Sequence, residues 1–303
     1  MSNKDTLVLI DGNSLINRAF YALPLMLTKD GRHTNAVYGF CSMLVKIITE
    51  INPKSMVVAF DLPAPTFRKT LYPLYKAQRK GMPDELAAQM PLLKTLLSDM
   101  GINIAEKAGF EADDIIGTLS KRFKDSTVIV TGDRDSLQLI DNTTEVWLTK
   151  KGITEIARYD EEKLLSEYNL TPKQIIDLKS LMGDASDNIP GIAGIGEKTA
   201  LSLLERFSTL DGIYNNTAEI KGKLQETVIN GKENAYLSYK LAAIDINVDL
   251  PCDISDCAVN FPFSEKIREK FAELEFKSLL RRAELFEGGE KKPETNAEQM
   301  TLF

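Results

Sequence analysis

The sequence predicts an α/β protein with a parallel sheet flanked by helices, and three observations carry that expectation. Short apolar, β-branched runs stand at Thr6 to Ile10, Met56 to Phe60 and Thr127 to Thr131, with the length and texture of strands buried on both faces. Helix-like segments, among them Val37 to Glu50 and Leu86 to Met100, separate the runs, which is the alternation of a parallel sheet. Each run is followed within two residues by an aspartate: Asp11, Asp61 or Asp133. Ligands of such sheets bind beyond the carboxyl ends of the strands, where all three aspartates would sit.

One strand-end aspartate is an ordinary cap or turn former; three together point to a site. The stretch Lys29-Asp30-Gly31-Arg32-His33-Thr34 reads as an exposed turn and holds the one histidine. Residues 62–91 carry five of the 12 prolines, and Arg68 to Lys80 holds Arg68, Lys69, Lys76, Arg79 and Lys80 with no acid, interleaved with Tyr72 and Tyr75. Basic plus aromatic is the composition of a single-strand channel; the plainer alternative is a solvated helix face with two buried tyrosines. Glu111-Ala-Asp113-Asp114 then opens an apolar helix, where acids favour the dipole by about 0.3–1 kcal/mol each, yet three in four residues repel unless a cation offsets them.

From Thr171 the texture changes. Thr171-Pro172-Lys173-Gln174 is a capping box with proline at the first helical position, and the helix runs through Ile175 to Met182 until Gly183. Asp184-Ala-Ser-Asp187-Asn-Ile-Pro190 and the glycines Gly191, Gly194 and Gly196 lead into a second amphipathic helix, Glu197 to Phe207. The glycine order is not that of a dinucleotide fold, and Glu197 before Lys198-Thr199 breaks a P-loop. What remains is a tight turn whose amides and helix N-terminus face a phosphate, aided by Lys198. The expected organisation is an α/β domain over 1–170, a helical region over 171–287 and a flexible polar tail over 288–303.

Composition narrows the chemistry. The 303 residues carry a formal charge of −7 and a pI near 5.1, which is not the basic footprint of a nucleic-acid binder. No run suits a membrane span or signal peptide, so a soluble cytoplasmic protein without a membrane partner is expected; it is also expected as a monomer. Cys41, Cys252 and Cys257 with one histidine do not complete a Cys/His zinc site and read as reduced thiols. The chemistry then falls to carboxylates: Asp11, Asp61, Glu111, Asp113, Asp114, Asp133, Asp135, Asp184 and Asp187. Hard oxygen ligands suit Mg²⁺ or Mn²⁺, and a two-metal phosphoryl-transfer site explains the excess without a histidine base. Setting those nine acids aside leaves the rest of the chain at +2, so the acidity is local.

The residues Ile10-Asp11-Gly12 with Arg18, Ala36-Val37-Tyr38-Gly39-Phe40, Tyr75-Lys76-Ala77-Gln78-Arg79, Glu111-Ala-Asp113-Asp114, Asp133-Arg-Asp135, Gly183-Asp184-Ala-Ser-Asp187-Asn188 and Gly194-Ile-Gly196-Glu-Lys198-Thr resemble, in order and spacing, the flap endonuclease family in the form of the 5′-3′ exonuclease domain of bacterial DNA polymerase I. The match covers about residues 5–285. It implies a PIN-like sheet with a helical arch and a helix-hairpin-helix region, and a structure-specific nuclease acting on 5′ flaps, nicks and RNA primers in replication and repair. It places Asp11, Asp61, Glu111 and Asp113 at one metal, Asp133, Asp135, Asp184 and Asp187 at the other, and Asp114 behind them. It implies that Lys76 and Arg79 hold the scissile phosphate, that Arg18 contacts a phosphate, and that the hairpin grips duplex with K⁺; Arg68 and Tyr75 are expected at the DNA from the basic and aromatic texture of their stretch. Where family members usually carry an aromatic before the arginine, this chain has Asn17, leaving Phe20, Tyr21 or Tyr75 to stack on a terminal base. Gln299-Met-Thr-Leu302-Phe303 resembles the sliding-clamp-binding peptide of bacteria; the alternative is a plain terminus or the cut end of a longer chain.

Overall fold

Apolar strands need cover on both faces, and the chain supplies it from two sets of helices. The computed structural model describes residues 5–153, 155–251, 254–259 and 263–284. Strands β1 (Thr6–Asp11), β2 (Ser55–Ala59), β3 (Asn103–Ala105), β4 (Ser126–Thr131), β5 (Thr144–Thr149) and β6 (Ile156–Tyr159) form one sheet in the order β3-β2-β1-β4-β5-β6. All pairings are parallel except β5 with β6, an antiparallel edge hairpin that the run pattern did not predict.

Helices α1 (Gly12–Ala22), α2 (Asn35–Ile51), α3 (Phe67–Leu71), α4 (Asp84–Ala87) and α5 (Met90–Asp99) precede α6 (Ala112–Arg122), and a 3-10 turn spans Arg134–Leu139. There follow α7 (Glu161–Tyr168), α8 (Pro172–Met182), α9 (Glu197–Phe207), α10 (Leu210–Asn215), α11 (Lys223–Asn230), α12 (Lys232–Ala242), α13 (Glu265–Glu273) and α14 (Lys277–Glu284). Val8, Ile10, Val128 and Val130 point into a core built by α1, α2, α5 and α13. Leu7, Leu9 and Ile129 point the other way, into a core shared with α6 and the helical region. Strand alternation thus feeds two cores, each fully buried side chain contributing about 1.5–3 kcal/mol.

The helix expected over Leu86 to Met100 is two helices, α4 and α5, because Pro91 lies in the first turn of α5 and cannot donate back into a continuous helix. Gln89, at the break, turns inward and its Oε1 accepts from Ala36 N at 2.9 Å, capping α2 from a distance. Residues 62–91, where an arch is implied, form the short helices α3 and α4 with turns between them. The capping box at Thr171 and the span of α9 appear as the residues predict. Among the described residues no helix is long and apolar enough to cross a membrane.

Gly191 fixes the hairpin between α8 and α9. Its φ is +58°, and a Cβ there would lie 2.3 Å from Gly183 N, a backbone atom that has no room to yield. Gly191→Ala is expected to cost at least the 1–2 kcal/mol or so of a left-handed L-residue, with the clash adding to it. A lowered melting temperature checks this; an unchanged one contradicts it.

Candidate active site

The parallel strands end on one side of the sheet, and their carboxyl ends open into a cavity of about 1190 Å³. Seven of the eight acids expected as ligands line it: Asp11, Asp61, Glu111, Asp113, Asp133, Asp135 and Asp184. Asp187 stands beside them behind Lys76 and Arg79.

Local bonds hold each acid in place. Asp11 caps α1, accepting from Ser14 N at 2.9 Å, and its other oxygen accepts from the Thr131 hydroxyl at 2.8 Å, which ties β1 to β4. Asp61 accepts from Ala112 N at 2.7 Å at the start of α6. Asp133 accepts from Asp135 N at 2.9 Å, so the 3-10 turn presents both carboxylates together. Asp184 accepts from Ser186 N at 2.8 Å and from Lys179 Nζ at 2.6 Å. Asp113 is the exception: its Oδ1 is enclosed and meets no donor.

The acids oppose one another electrostatically. Burial, with Asp61 and Asp133 adding to it, raises the pKa of Asp11 to about 6. Asp135 is raised to about 7 by burial and then by Asp133. Asp113 is raised well above the usual carboxylate range, by burial first and then by Asp11 and Asp133. Burial would raise Asp184 too, but the Lys179 and Ser186 bonds hold it at about 2.

Protein cations occupy the gaps. Lys76 Nζ donates to Glu111 Oε2 at 2.8 Å and lies 3.9 Å from Asp187; Arg79 pairs with Asp187. Lys179 on α8 bridges Asp135 and Asp184. Sequence reasoning missed Lys179: its place in the last turn of α8 suggests only a dipole partner, and nothing local points to Asp135. As the side chains lie, no three His, Cys, Asp or Glu among the described residues close around one ion. In kind and number the donors nonetheless fit hard divalent cations, and the unpartnered Asp113 oxygen marks charge that the protein leaves uncompensated.

Arg18, Lys80, Arg134, Lys150 and Lys151 line the same cavity. Arg18 Nη1 donates to Lys150 O at 2.7 Å while its Nε is enclosed without an acceptor. Asn17 also lines it, its Nδ2 donating to Asn13 O at 2.8 Å. Of the three aromatics left to stack on a base, Tyr75 is buried and Phe20 packs against the core; Tyr21 is 72% exposed and lines the cavity.

Three residues expected to contact DNA are placed otherwise. Arg68 is 2% exposed and forms a two-pronged pair with Asp114, 2.7 Å on each prong, while donating to Leu241 O and Ala243 O. Burial pulls the Arg68 pKa down, but Asp114 more than offsets this and the net shift is upward. Asp114, itself fully buried, also accepts from Glu111 N at 3.0 Å and Asp245 N at 2.8 Å, so it stands behind the Glu111 carboxylate. Tyr75 is 4% exposed, and its hydroxyl donates to Glu111 at 3.2 Å instead of offering a ring face. Gly191 is buried with its N–H spent on Ser238 Oγ, so it shapes the hairpin without presenting an amide. Gly194, Gly196 and Lys198 are exposed on the hairpin, away from the cavity lining. Gln299, Leu302 and Phe303 lie outside the described residues.

Two family models match the chain: the 5′-3′ exonuclease N-terminal resolvase-like domain over residues 6–169 and the 5′-3′ exonuclease C-terminal SAM fold over 170–265. DNA polymerase I of Bacillus caldotenax is 47% identical over 294 residues, covering 96% of this chain and 34% of that polymerase. DNA polymerase I of Bacillus subtilis strain 168 is 43% identical over 286 residues, covering 93% and 32%. The chain therefore spans about a third of the length of these relatives. Among solved structures, T5 5′-exonuclease with bound divalent metal ions (zinc) has a TM-score of 0.65 at 20% identity, covering 92% of this chain and 99% of that one. The catalytic core of Rad2 in complex with DNA substrate has a TM-score of 0.61 at 19% identity, covering 93% and 94%. At these identities the likeness is one of fold.

Proposed function

The chain belongs to the 5′-3′ exonuclease family, and from that premise we propose that it hydrolyses phosphodiesters of DNA, and of RNA primers on DNA, near the junction of a 5′ single strand with duplex, in replication and repair. The observation that carries this reading is the cavity itself, where strand-end carboxylates face a rim of cations. A carboxylate wall suits metal, and a cationic rim suits phosphate.

Asp11, Asp61, Glu111 and Asp113 would hold one Mg²⁺ or Mn²⁺, and Asp133, Asp135, Asp184 and Asp187 the other. Bound there, such ions acidify an attacking water and neutralise the charge of an in-line displacement. The chain's own part is positional. Lys76 and Arg79 exchange their present acid partners for the oxygens of the scissile phosphate, and Arg18 takes a neighbouring phosphate oxygen. Tyr21 offers its ring to the terminal base, in the role that Asn17 cannot fill. The exposed hairpin at Gly194, Gly196 and Lys198 grips the duplex backbone, with K⁺ as its counter-ion, without reading sequence. T5 5′-exonuclease with its divalent ions and the Rad2 core with its DNA substrate, which share this fold, support the reading. The protein works in the cytoplasm as a monomer, and the tail ending in Leu302 and Phe303 offers a tether to the sliding clamp.

The test is cleavage of a 5′-flap DNA with Mg²⁺ by Asp133→Ala and Asp187→Ala. Both are expected to lose cleavage by 100-fold or more, about 2.7 kcal/mol, while still binding the flap with an affinity that falls as salt rises. Near-normal cleavage by both, with binding intact, would overturn the two-metal reading.

A further inference from the structure

We propose that Asn188 is a positioning residue that latches the segment carrying Lys76 and Arg79 onto the loop carrying Asp184 and Asp187. The proposal rests on the nuclease reading above and assigns a residue that acts through Lys76 and Arg79 without touching substrate.

The loop is pinned at its base by Asp184 N to Ile189 O at 3.0 Å and Ile189 N to Asp184 O at 2.8 Å. Asn188 lies just inside this ring with φ +57°, in the left-handed region that asparagine tolerates better than other non-glycine residues. That turn sends its side chain outward, where Nδ2 donates to Leu74 O at 2.8 Å and Oδ1 faces Gln78 Nε2 at 3.5 Å. Next to it, Asp187 O accepts from Lys76 N at 2.8 Å. Tyr75 fills the space beneath, packed with Ile189, Leu241 and Ala242.

Backbone strain singles out the same seam. Among the described residues six non-glycine residues have positive φ, and four of them, Asn52, Asn169, Ser208 and Glu275, end helices, where that conformation is routine. The other two are Lys76, at φ +52°, and Asn188, and neither ends a helix. They meet across this contact. A lysine held left-handed persists only where its surroundings over-determine it, and the bonds from Asp187 and Asn188 do so. The turn they fix aims Lys76 Nζ at Glu111 and Arg79 at Asp187. One six-residue loop therefore supplies two acids and sets the register of the two cations that face them.

Asn188→Gly keeps the left-handed backbone and removes only the side-chain bonds; Asn188→Asp keeps size and turn but sets a charged acceptor against Leu74 O in place of the donor. In single-turnover cleavage of a 5′-flap DNA with Mg²⁺, each is expected to lower the rate about tenfold with half-saturation changed less than twofold. In a background with both Lys76→Ala and Arg79→Ala the added loss should shrink below twofold, because the latch acts through those two cations. Without DNA, trypsin should cut between Lys76 and Lys80 about fivefold faster in either variant. A wild-type rate together with wild-type trypsin resistance would overturn the latch, as would a tenfold loss that persists without the Lys76 and Arg79 side chains. If the parent chain fails to cut flaps, the nuclease reading falls, and the trypsin comparison still decides whether the latch exists.

Discussion

Asp113→Asn is expected to lower flap cleavage by about three orders of magnitude, close to 4 kcal/mol of transition-state stabilisation, while raising the melting temperature of the metal-free protein. The two effects have one cause. Asp113 is pushed well above the usual carboxylate range by burial and by Asp11 and Asp133, and its enclosed oxygen has no donor. A group whose folded pKa lies above its unfolded value contributes stability below the unfolded pKa and loses it as pH rises through the folded one. Wherever it ionises, the Asp113 carboxylate is therefore a burden on the metal-free fold, and an uncharged amide of the same shape relieves it. The same amide weakens the charge that would hold a divalent ion.

The pH dependence follows with the same sign. Asp11, at about 6, and Asp135, at about 7, should make the metal-free protein less stable at pH 8 than at pH 5.5, by several degrees at about 2–4 °C per kcal/mol. Mg²⁺ should reverse the trend, with more effect at the higher pH. Below pH 4 the opposite holds for Asp184, whose folded pKa of about 2 is depressed, so its contribution is lost as pH falls through that value. Thermal melts in chelator and in Mg²⁺ across this range check both arms. An Asp113→Asn protein that melts no higher than its parent in chelator at pH 8 would contradict the repulsion account, and one that cuts normally would remove Asp113 from the site.

Arg68→Ala is expected to be the most destabilising single change in this region, costing about 3–5 kcal/mol and on the order of 10 °C. Arg68 is 2% exposed, grips both oxygens of a fully buried Asp114, and donates to two carbonyls at the end of α12. Removing it strands the Asp114 charge in the interior. The diagnostic comparison is Arg68→Met alone against Arg68→Met with Asp114→Asn. If the stranded charge dominates, the double variant recovers part of the loss, because the amide removes the charge while its one oxygen keeps one of the two bonds that Glu111 N and Asp245 N make to different oxygens of Asp114. Equal melting temperatures would assign the loss to the missing bonds to Leu241 and Ala243 instead. Arg68→Lys should also be costly, since an ammonium cannot make the two-pronged contact.

Arg68 also shows where the sequence stops being legible. Composition reveals a basic stretch but not which of its members finds an acid, and Asp114 lies 46 residues further on. The one arginine withdrawn into the interior looks like its neighbours until the fold is present. The strand-end aspartates were readable because parallel strands deliver their carboxyl ends to one side, a rule that needs only the strand runs. Lys179 was not readable, since its partners come from a 3-10 turn and a loop that only tertiary packing brings to α8. Strands β3 and β6, of 3 and 4 residues, are too short for periodicity to register, which is why the antiparallel edge was missed. The break between α4 and α5 had its signal in Pro91, outweighed by the apolar spacing on either side.

The order of the site along the chain has a consequence for biosynthesis. Asp11 ends the first strand, whereas Lys179, Asp184 and Asp187 come only with α8 and the loop behind it. Chains emerge amino end first and fold as they lengthen, so the ribosome releases strands β1 to β6 before those residues exist. In that interval Arg79 lacks its acid, Asp135 lacks its lysine, and the seam at Asn188 has not been made. The proposed cutting activity thus waits until α8 and the loop after it have been made, and a nascent product that stops before them holds an incomplete pocket beside the nucleic acids of the cell.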